Sequence, residues 1–353
     1  MTLHSSALYC ADLSELIRHI PGKEALFGKR ILITGATGTI GSCIADALLV
    51  MNRDLHAGIR VLLAGRNPEK LQQLFGSFAG QEGLLQTLPY DLQEEITWNE
   101  DVDYIIHAAG NAHPAAFNTD PVGTITGNVM STCRLLSYAA EHGAGRLVYV
   151  SSGEVYGMGD LSIEELPEQY MGPLDLSSPR SCYPESKRAS ENLCASWYHQ
   201  YGLETISVRP CHTYGPMITP SDNRANAQFF KTAASGHDIV LNSAGTQMRS
   251  YNYVCDAASA ILTVLASGQA GEAYNIANPA SRVTIAGLAE EIAAAAGVRR
   301  VFVDPDSVAL ANRSPIARQV LSTARLEALG WTGAFTLTEG VTHTLQILQE
   351  IQK

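Results

Sequence analysis

Apolar runs of four to six residues alternate with longer segments whose apolar positions recur every three or four residues, and this rhythm fills the first two thirds of the chain. The first run, Arg30-Ile-Leu-Ile-Thr34, ends in Gly35, and glycines recur at 38 and 41 before Ile44, Ala45, Ala47, Leu48 and Leu49 take up helical spacing. That order predicts a buried strand, a tight turn and a helix. Ile59 to Ala64 reads as a second strand, broken by Gly65-Arg66-Asn67, with Pro68 opening a helix. Leu84 to Pro89 is a weaker strand, and Val102 to His107 another. Pro121 to Glu141 reads as a long helix whose buried stripe is Ile125, Val129, Thr132, Leu136 and Ala139/Ala140. Arg146 to Val150 is a strand, Pro184 to Tyr201 a helix and Glu204 to Arg209 a strand. Strands this continuously apolar, alternating with helices, imply a parallel sheet covered on both faces.

The rhythm then loosens. Pro210 to Asn226 is rich in Pro, Asp, Asn and Thr. Helices are expected at 224–236, 254–267, 285–296 and 337–351, and one more strand at Ala273 to Ala277. The expected architecture is α/β. A helical extension, 1–28, precedes a doubly wound dinucleotide-binding domain at 29–210. Residues 254–277 return to its sheet, and a smaller mixed region, 211–353, lies over its mouth. In the extension, Leu13, Leu16, Ile17 and Ile20 form one apolar side, and Asp12 and Glu15 argue against a secretory signal.

Composition narrows the partners. The 353 residues are 46% hydrophobic and 17% charged, as in a globular protein, and the net charge of −11 argues against nucleic acid. No apolar run reaches the roughly 18 residues of a membrane span. Seven cysteines form no CxxC pair, so the reading is reduced thiols in a cytoplasmic protein, with no metal site.

Ligands of such sheets bind beyond the carboxyl ends of the strands. Gly35, Arg66, Asp91, Ala109 and Gly110, Ser152 and His212 all fall there. The three glycines fit a dinucleotide turn: Gly35 for the bend, Gly38 for approach of the pyrophosphate to bare helix amides, and Gly41 for helix–strand packing. Tyr183 and Lys187, four apart at the start of a helix, share a face. An ammonium beside a phenol favours the phenolate, which takes a proton from a sugar hydroxyl while hydride leaves the same carbon. Ser152 is placed to orient that hydroxyl.

These motifs resemble the extended short-chain dehydrogenase/reductases of the nucleotide-sugar epimerase/dehydratase group. The resemblance rests on Thr34-Gly35-Ala-Thr-Gly38-Thr-Ile-Gly41, His107-Ala-Ala-Gly110, Ser151-Ser152-Gly153-Glu154-Val-Tyr-Gly157, Tyr183-Pro-Glu-Ser-Lys187 and Arg209-Pro-Cys-His-Thr-Tyr-Gly215-Pro. Within the group, the segments Pro179 to Arg188 and Thr246 to Val254 look most like UDP-glucuronate decarboxylases. The resemblance implies a triad of Ser152, Tyr183 and Lys187, with Glu154 as a further catalytic carboxylate. It implies oxidation of the sugar at C4, loss of carbon dioxide from the resulting β-keto acid, and return of hydride. NAD would lie against Gly35, Thr37, Gly38, Thr39, Ile40 and Gly41. It would continue past Arg66, Asp91, Leu92, Ala108, Ala109 and Gly110 to Tyr183, Lys187 and Pro210. The nucleotide sugar would meet His113, Ser152, Gly153, Glu154, His212, Arg224 and Arg249. A homodimer through helices 121–141 and 184–201 is also implied.

Three departures matter. Gly153 stands where 4,6-dehydratases carry a proton-donating acid. His212 replaces the usual asparagine of the Asn-x-Tyr-Gly-Pro turn. Gly65-Arg66-Asn67 lacks the acid that binds the ribose hydroxyls of NAD, and an arginine there favours NADP. The alternatives are therefore an NADPH-dependent C4 keto-reductase or a 4-epimerase, and beyond these a non-catalytic dinucleotide sensor. Several residues keep two readings: Asp91 as adenine contact or cap, Arg224 as helix start or diphosphate contact, His212 as substrate contact or structure, Asn128 as site-shaping or ordinary buried amide. His107 reads as a packed histidine rather than a catalyst.

Overall fold

The computed structural model describes residues 3–76, 78, 83–112, 114–219, 222–303 and 316–352. In chain order the elements are α1 (Ala7–Arg18), β1 (Arg30–Thr34), α2 (Thr39–Leu55), β2 (Arg60–Gly65), α3 (Pro68–Phe75), β3 (Leu85–Pro89), β4 (Tyr104–His107), α4 (Pro114–Thr119), α5 (Pro121–Glu141), β5 (Arg146–Val150), α6 (Cys182–Tyr201), β6 (Glu204–Pro210) and β7 (His212–Tyr214). There follow α7 (Ala225–Ala234), β8 (Ile239–Leu241), β9 (Met248–Tyr253), α8 (Val254–Ser267), β10 (Ala273–Ile276), β11 (Arg282–Thr284), α9 (Ile285–Ala296), β12 (Arg300–Phe302), β13 (Arg318–Gln319), α10 (Ala324–Glu327) and α11 (Leu337–Gln352).

Seven strands make one sheet in the order β10-β6-β5-β4-β1-β2-β3, every pairing parallel. The order reverses between β1 and β4, which opens a crevice at their carboxyl ends, the standard ligand position of a doubly wound sheet. Ile31, Leu32 and Ile33 are fully buried because helices cover both faces. Local chemistry fixes the helix ends. Asn67 caps α3 by accepting the Lys70 amide at 2.8 Å, with Pro68 in the first turn. Gly202 and Gly297 end α6 and α9 in the left-handed conformation.

The expected α1 forms and buries Tyr9, Leu13, Leu16 and Ile17 against α2 and α8. Polar anchors secure it. The Tyr9 hydroxyl donates to buried Asp46 at 2.7 Å, and the Tyr253 hydroxyl to buried Asp12 at 2.7 Å. Three sequence expectations need correction. Ile125 is exposed, because the first turns of α5 bury Thr124, Gly127, Asn128 and Ser131 instead. Helix α6 begins at Cys182, two residues early. The loose stretch after Pro210 carries strands β7, β9, β11 and β13 of a second, four-stranded sheet, whose alternating polar residues gave no apolar run. No helix among the described residues is long and apolar enough to cross a membrane.

Candidate active site

The glycine turn is built as its spacing implies. Gly35 has φ +74°, and a Cβ there would lie 2.6 Å from the Ala109 amide nitrogen. A Cβ on Gly41 would lie 2.4 Å from the Gly35 carbonyl oxygen. Gly38 differs: its φ of −84° suits any residue, and a Cβ meets only the Gly35 carbonyl, at 3.3 Å. Gly38 is the N-cap of α2 and lends no side-chain cap, so the first-turn amides at Thr39, Ile40 and Gly41 stay bare. Thr37 is exposed beside them. The Thr34 hydroxyl accepts the Ala109 amide at 3.2 Å and bonds His107 Nδ1 at 2.8 Å, tying β1 to the end of β4. These features fit a dinucleotide pyrophosphate.

Further along the crevice, Arg66 is exposed and in no ion pair among the described residues. Asn67, its neighbour, is spent on the α3 cap. One oxygen of Asp91 accepts the Gln93 amide at 2.9 Å, a local turn with no helix for Asp91 to cap. Leu92, Ala108, Ala109 and Gly110 are half-buried and open to the crevice side. Behind Gly110 lies buried Asn128, whose Nδ2 donates to Ser186 Oγ at 2.9 Å while its Oδ1 has no partner. That orphaned oxygen sits 3.1 Å from where a Gly110 Cβ would be. Such an atom is costly unless a ligand or water meets it.

Ser152, Tyr183 and Lys187 come together at the end of β5. Lys187 is buried, donates to the Val150 carbonyl at 2.9 Å and lies 5.8 Å from the centre of the Tyr183 ring. Burial pulls its ammonium down to about 8. Tyr183 stacks on Phe117, ring centres 4.5 Å apart, and lies beside Ser152. The surroundings of the ring oppose the expected phenolate. Burial pushes the Tyr183 hydroxyl up to about 12, helped by Glu154 and only partly opposed by Ser152, Arg224 and Arg180. The Lys187 charge is spent on a carbonyl and does not outweigh desolvation. His107 is buried and pushed down to about 3, so it is a neutral, packed histidine as expected.

Glu154 is gripped by Arg180, whose Nη2 reaches both carboxylate oxygens at 2.9 and 2.8 Å while its guanidinium lies 4.7 Å from the centre of the Phe117 ring. Arg180 is thus a site residue that sequence reasoning passed over; its signal was the charge three residues before Tyr183. Gly153 is buried, and a Cβ there would touch the Pro210 carbonyl, Leu321 and Gln319 at 3.4–3.7 Å. Gln319, also unforeseen, donates to the Gly153 carbonyl at 2.7 Å. His113 lies outside the described residues.

A basic patch closes the far side. Arg249 is buried; it donates to the carbonyls of Met248 at 2.9 Å and Ile316 at 2.6 Å, and among the described residues no carboxylate pairs with it. Arg224 stands at the start of α7, held by Asp222 at 2.6 Å. His212 faces the same space from β7, its ring 5.6 Å from that of Tyr251. The residue is exposed, and desolvation by the protein around it together with the two arginines pushes it down to about 4. A buried arginine without a carboxylate is suited to an anionic ligand. Among the described residues no cluster of three His, Cys, Asp or Glu is placed to hold a metal.

A family model described as the NAD dependent epimerase/dehydratase family matches residues 31–277. The chain belongs to that family. It is 31% identical over 320 residues to UDP-glucuronic acid decarboxylase 5 of Arabidopsis thaliana, covering 88% of this chain and 87% of that protein. It is 29% identical to UDP-glucuronic acid decarboxylase 1 of Xenopus tropicalis, covering 91% of this chain and 72% of the relative. Among solved structures, a dTDP-glucose 4,6-dehydratase from Streptomyces venezuelae with NAD bound superimposes with TM-score 0.74 at 25% identity, over 91% of this chain and 97% of that one. A UDP-glucose 4-epimerase from Thermotoga maritima shares the fold, with TM-score 0.75 at 21% identity over 92% of this chain and 100% of that one. Family membership and the decarboxylase relatives make this chain an enzyme of the epimerase/dehydratase type.

Proposed function

We propose that this chain oxidises the sugar of a nucleoside diphosphate sugar at C4 with NAD, and that its reaction is decarboxylation of UDP-glucuronate to a UDP-pentose. The observation that carries the reading is the meeting of Ser152, Tyr183 and Lys187 between a bare dinucleotide turn and a basic patch. The relatives named above carry the same activity in their names. A bound nicotinamide supplies the hydride acceptor and donor. Tyr183 Oη takes the proton of the C4 hydroxyl, and Ser152 aligns that hydroxyl. With C4 a ketone, the carboxylate at C5 is β to a carbonyl. Breaking the C5–C6 bond releases carbon dioxide, and its electron pair moves into the C4 carbonyl as an enolate. Protonation at C5 gives the 4-keto pentose, and Tyr183 returns its proton to O4 when C4 is reduced. Arg249 and Arg224 take the diphosphate, and Glu154 with Arg180 meets the sugar end. Elimination of water has no acid at Gly153, so dehydration is disfavoured.

A second reading, an NADPH-dependent C4 keto-reductase or a 4-epimerase of another nucleotide sugar, is favoured by exposed Arg66 and by the missing acid after β2. An intact triad argues against a mere dinucleotide sensor. Seven free cysteines suit a reducing cytoplasm. Exposed Val122, Ile125 and Met130 on α5, with Tyr198 and Tyr201 on α6, suit a homodimer through these helices. The test is incubation with UDP-glucuronate and no added cofactor. Carbon dioxide and a UDP-pentose in equal amounts support the reading. Unchanged UDP-glucuronate, with NADPH consumed on a 4-keto nucleotide sugar, selects the second.

A further inference from the structure

We propose that His212 takes up a proton when the diphosphate of the ligand enters the basic patch, so that nucleotide-sugar binding by this chain is linked to protonation. The inference rests on the diphosphate assignment made above. Its geometry is set by register. Strand β9 pairs both β7, with His212 opposite Tyr251, and β13, with Gln319 opposite Arg249. Arg249 and Tyr251 are two apart on β9 and so share a face. Gln319, Arg249, Tyr251 and His212 therefore form one continuous row, with Arg224 projecting at it from the start of α7.

Among the described residues, the groups facing the imidazole are these. Arg249 and Tyr251 face it from β9, Arg224 from α7 with Asp222 clamped on its guanidinium, and Gln319 from β13. Glu154 lies across the crevice within reach of Arg249's field. Neighbouring Cys211 is a protonated thiol, pushed up by burial. The two nearby charges are positive, and they oppose a third on His212. A diphosphate carries two negative charges near neutral pH. Placed between the arginines, it cancels their repulsion and adds attraction for an imidazolium, and both effects favour the charged ring. An asparagine at this position binds an anion without titrating. Histidine thus makes binding pH-dependent where asparagine would not, and by linkage the proton and the ligand strengthen each other.

The test is calorimetric titration of the whole protein with UDP-glucose, whose two phosphates hold no proton near pH 6. It is run in two buffers of different ionisation enthalpy. The proposal expects an enthalpy difference equivalent to uptake of up to about one proton between the free-state and bound-state pKa of His212, and affinity that falls up to about tenfold per pH unit across that window. His212→Asn is expected to bind UDP-glucose with the uptake abolished and the pH slope flattened. Equal enthalpies in both buffers for the unsubstituted protein overturn the proposal while leaving the proposed function standing. Uptake that persists in His212→Asn also overturns it, because the proton then sits elsewhere. Failure to bind any nucleoside diphosphate sugar overturns both.

Discussion

Gly35, Gly38 and Gly41 are three alanine substitutions with two different expected outcomes. Gly35→Ala places a side chain at φ +74° and a Cβ 2.6 Å from the Ala109 backbone nitrogen. The left-handed conformation costs about 1–2 kcal/mol, and forcing backbone apart a further 1–3 kcal/mol or so. Neither neighbour is a flexible side-chain tip, so little relief is available. Gly41→Ala meets the Gly35 carbonyl at 2.4 Å. It recovers about 1 kcal/mol of helix propensity, which offsets only part of the clash. Gly38→Ala has an ordinary φ and one contact at 3.3 Å, so its folding cost stays near or below about 1 kcal/mol. Its methyl group occupies the space in front of the bare α2 amides. Thermal unfolding and dinucleotide binding, measured together, separate the cases. Gly35→Ala is expected to lower Tm by on the order of 3–7 °C in a chain of 353 residues. Gly38→Ala is expected to stay near the parent Tm and bind dinucleotide at least about tenfold more weakly, a loss of about 1.4 kcal/mol. Equal Tm values for Gly35→Ala and Gly38→Ala, or full binding by Gly38→Ala, would refute this account of the turn.

Four further outcomes are expected. Tyr183→Phe keeps the Phe117 stack and the fold but loses about 10²–10⁴ in turnover, read by carbon dioxide release with bound cofactor measured in parallel. Lys187→Met raises stability at pH 7, although it abolishes activity. The folded-state pKa of Lys187, about 8, lies below the usual 10.5, so the native state pays a charging penalty that is complete below pH 8 and vanishes above about pH 10.5. Relief of that penalty, less the cost of the orphaned Val150 carbonyl, leaves on the order of 1–2 kcal/mol, visible as a Tm gain at pH 7 that shrinks toward pH 10.5. Arg180→Ala removes a cation that lowers the Tyr183 hydroxyl and unmasks Glu154, which raises it, so the alkaline rise of the rate–pH profile moves to higher pH. An unmoved profile would detach Arg180 from the phenol. Gel filtration at dimer mass, converted to monomer by Val122→Glu with Ile125→Glu, would place the interface on α5.

Much of this was legible in the chain because sheet strands buried on both faces read as apolar runs, and because glycine spacing reports backbone geometry directly. Gly35 and Gly41 stand where a Cβ meets backbone atoms, which is why the motif located the crevice. The second sheet was not legible. Met248–Tyr253 alternates Arg249 and Tyr251 with Ser250 and Asn252 and buries both sets, so no apolar run marks it. Gln319 lies on a two-residue strand and reaches Gly153 only through tertiary pairing with β9. The ionisation of Tyr183 was misjudged for a related reason. Spacing puts Lys187 on the same helix face, but it does not reveal that the ammonium is spent on Val150 or that desolvation dominates. Ile125 was placed inward by periodicity, yet α5 turns its polar, small residues toward the site.

The central claim is that hydride leaves C4 and returns to C4 in one turnover. UDP-glucuronate carrying deuterium at C4 tests it directly. With the purified enzyme and no added cofactor, the account predicts one carbon dioxide released per UDP-pentose formed, with the deuterium retained at C4. Loss of the deuterium from C4 of the product, or recovery of intact UDP-glucuronate, would contradict it.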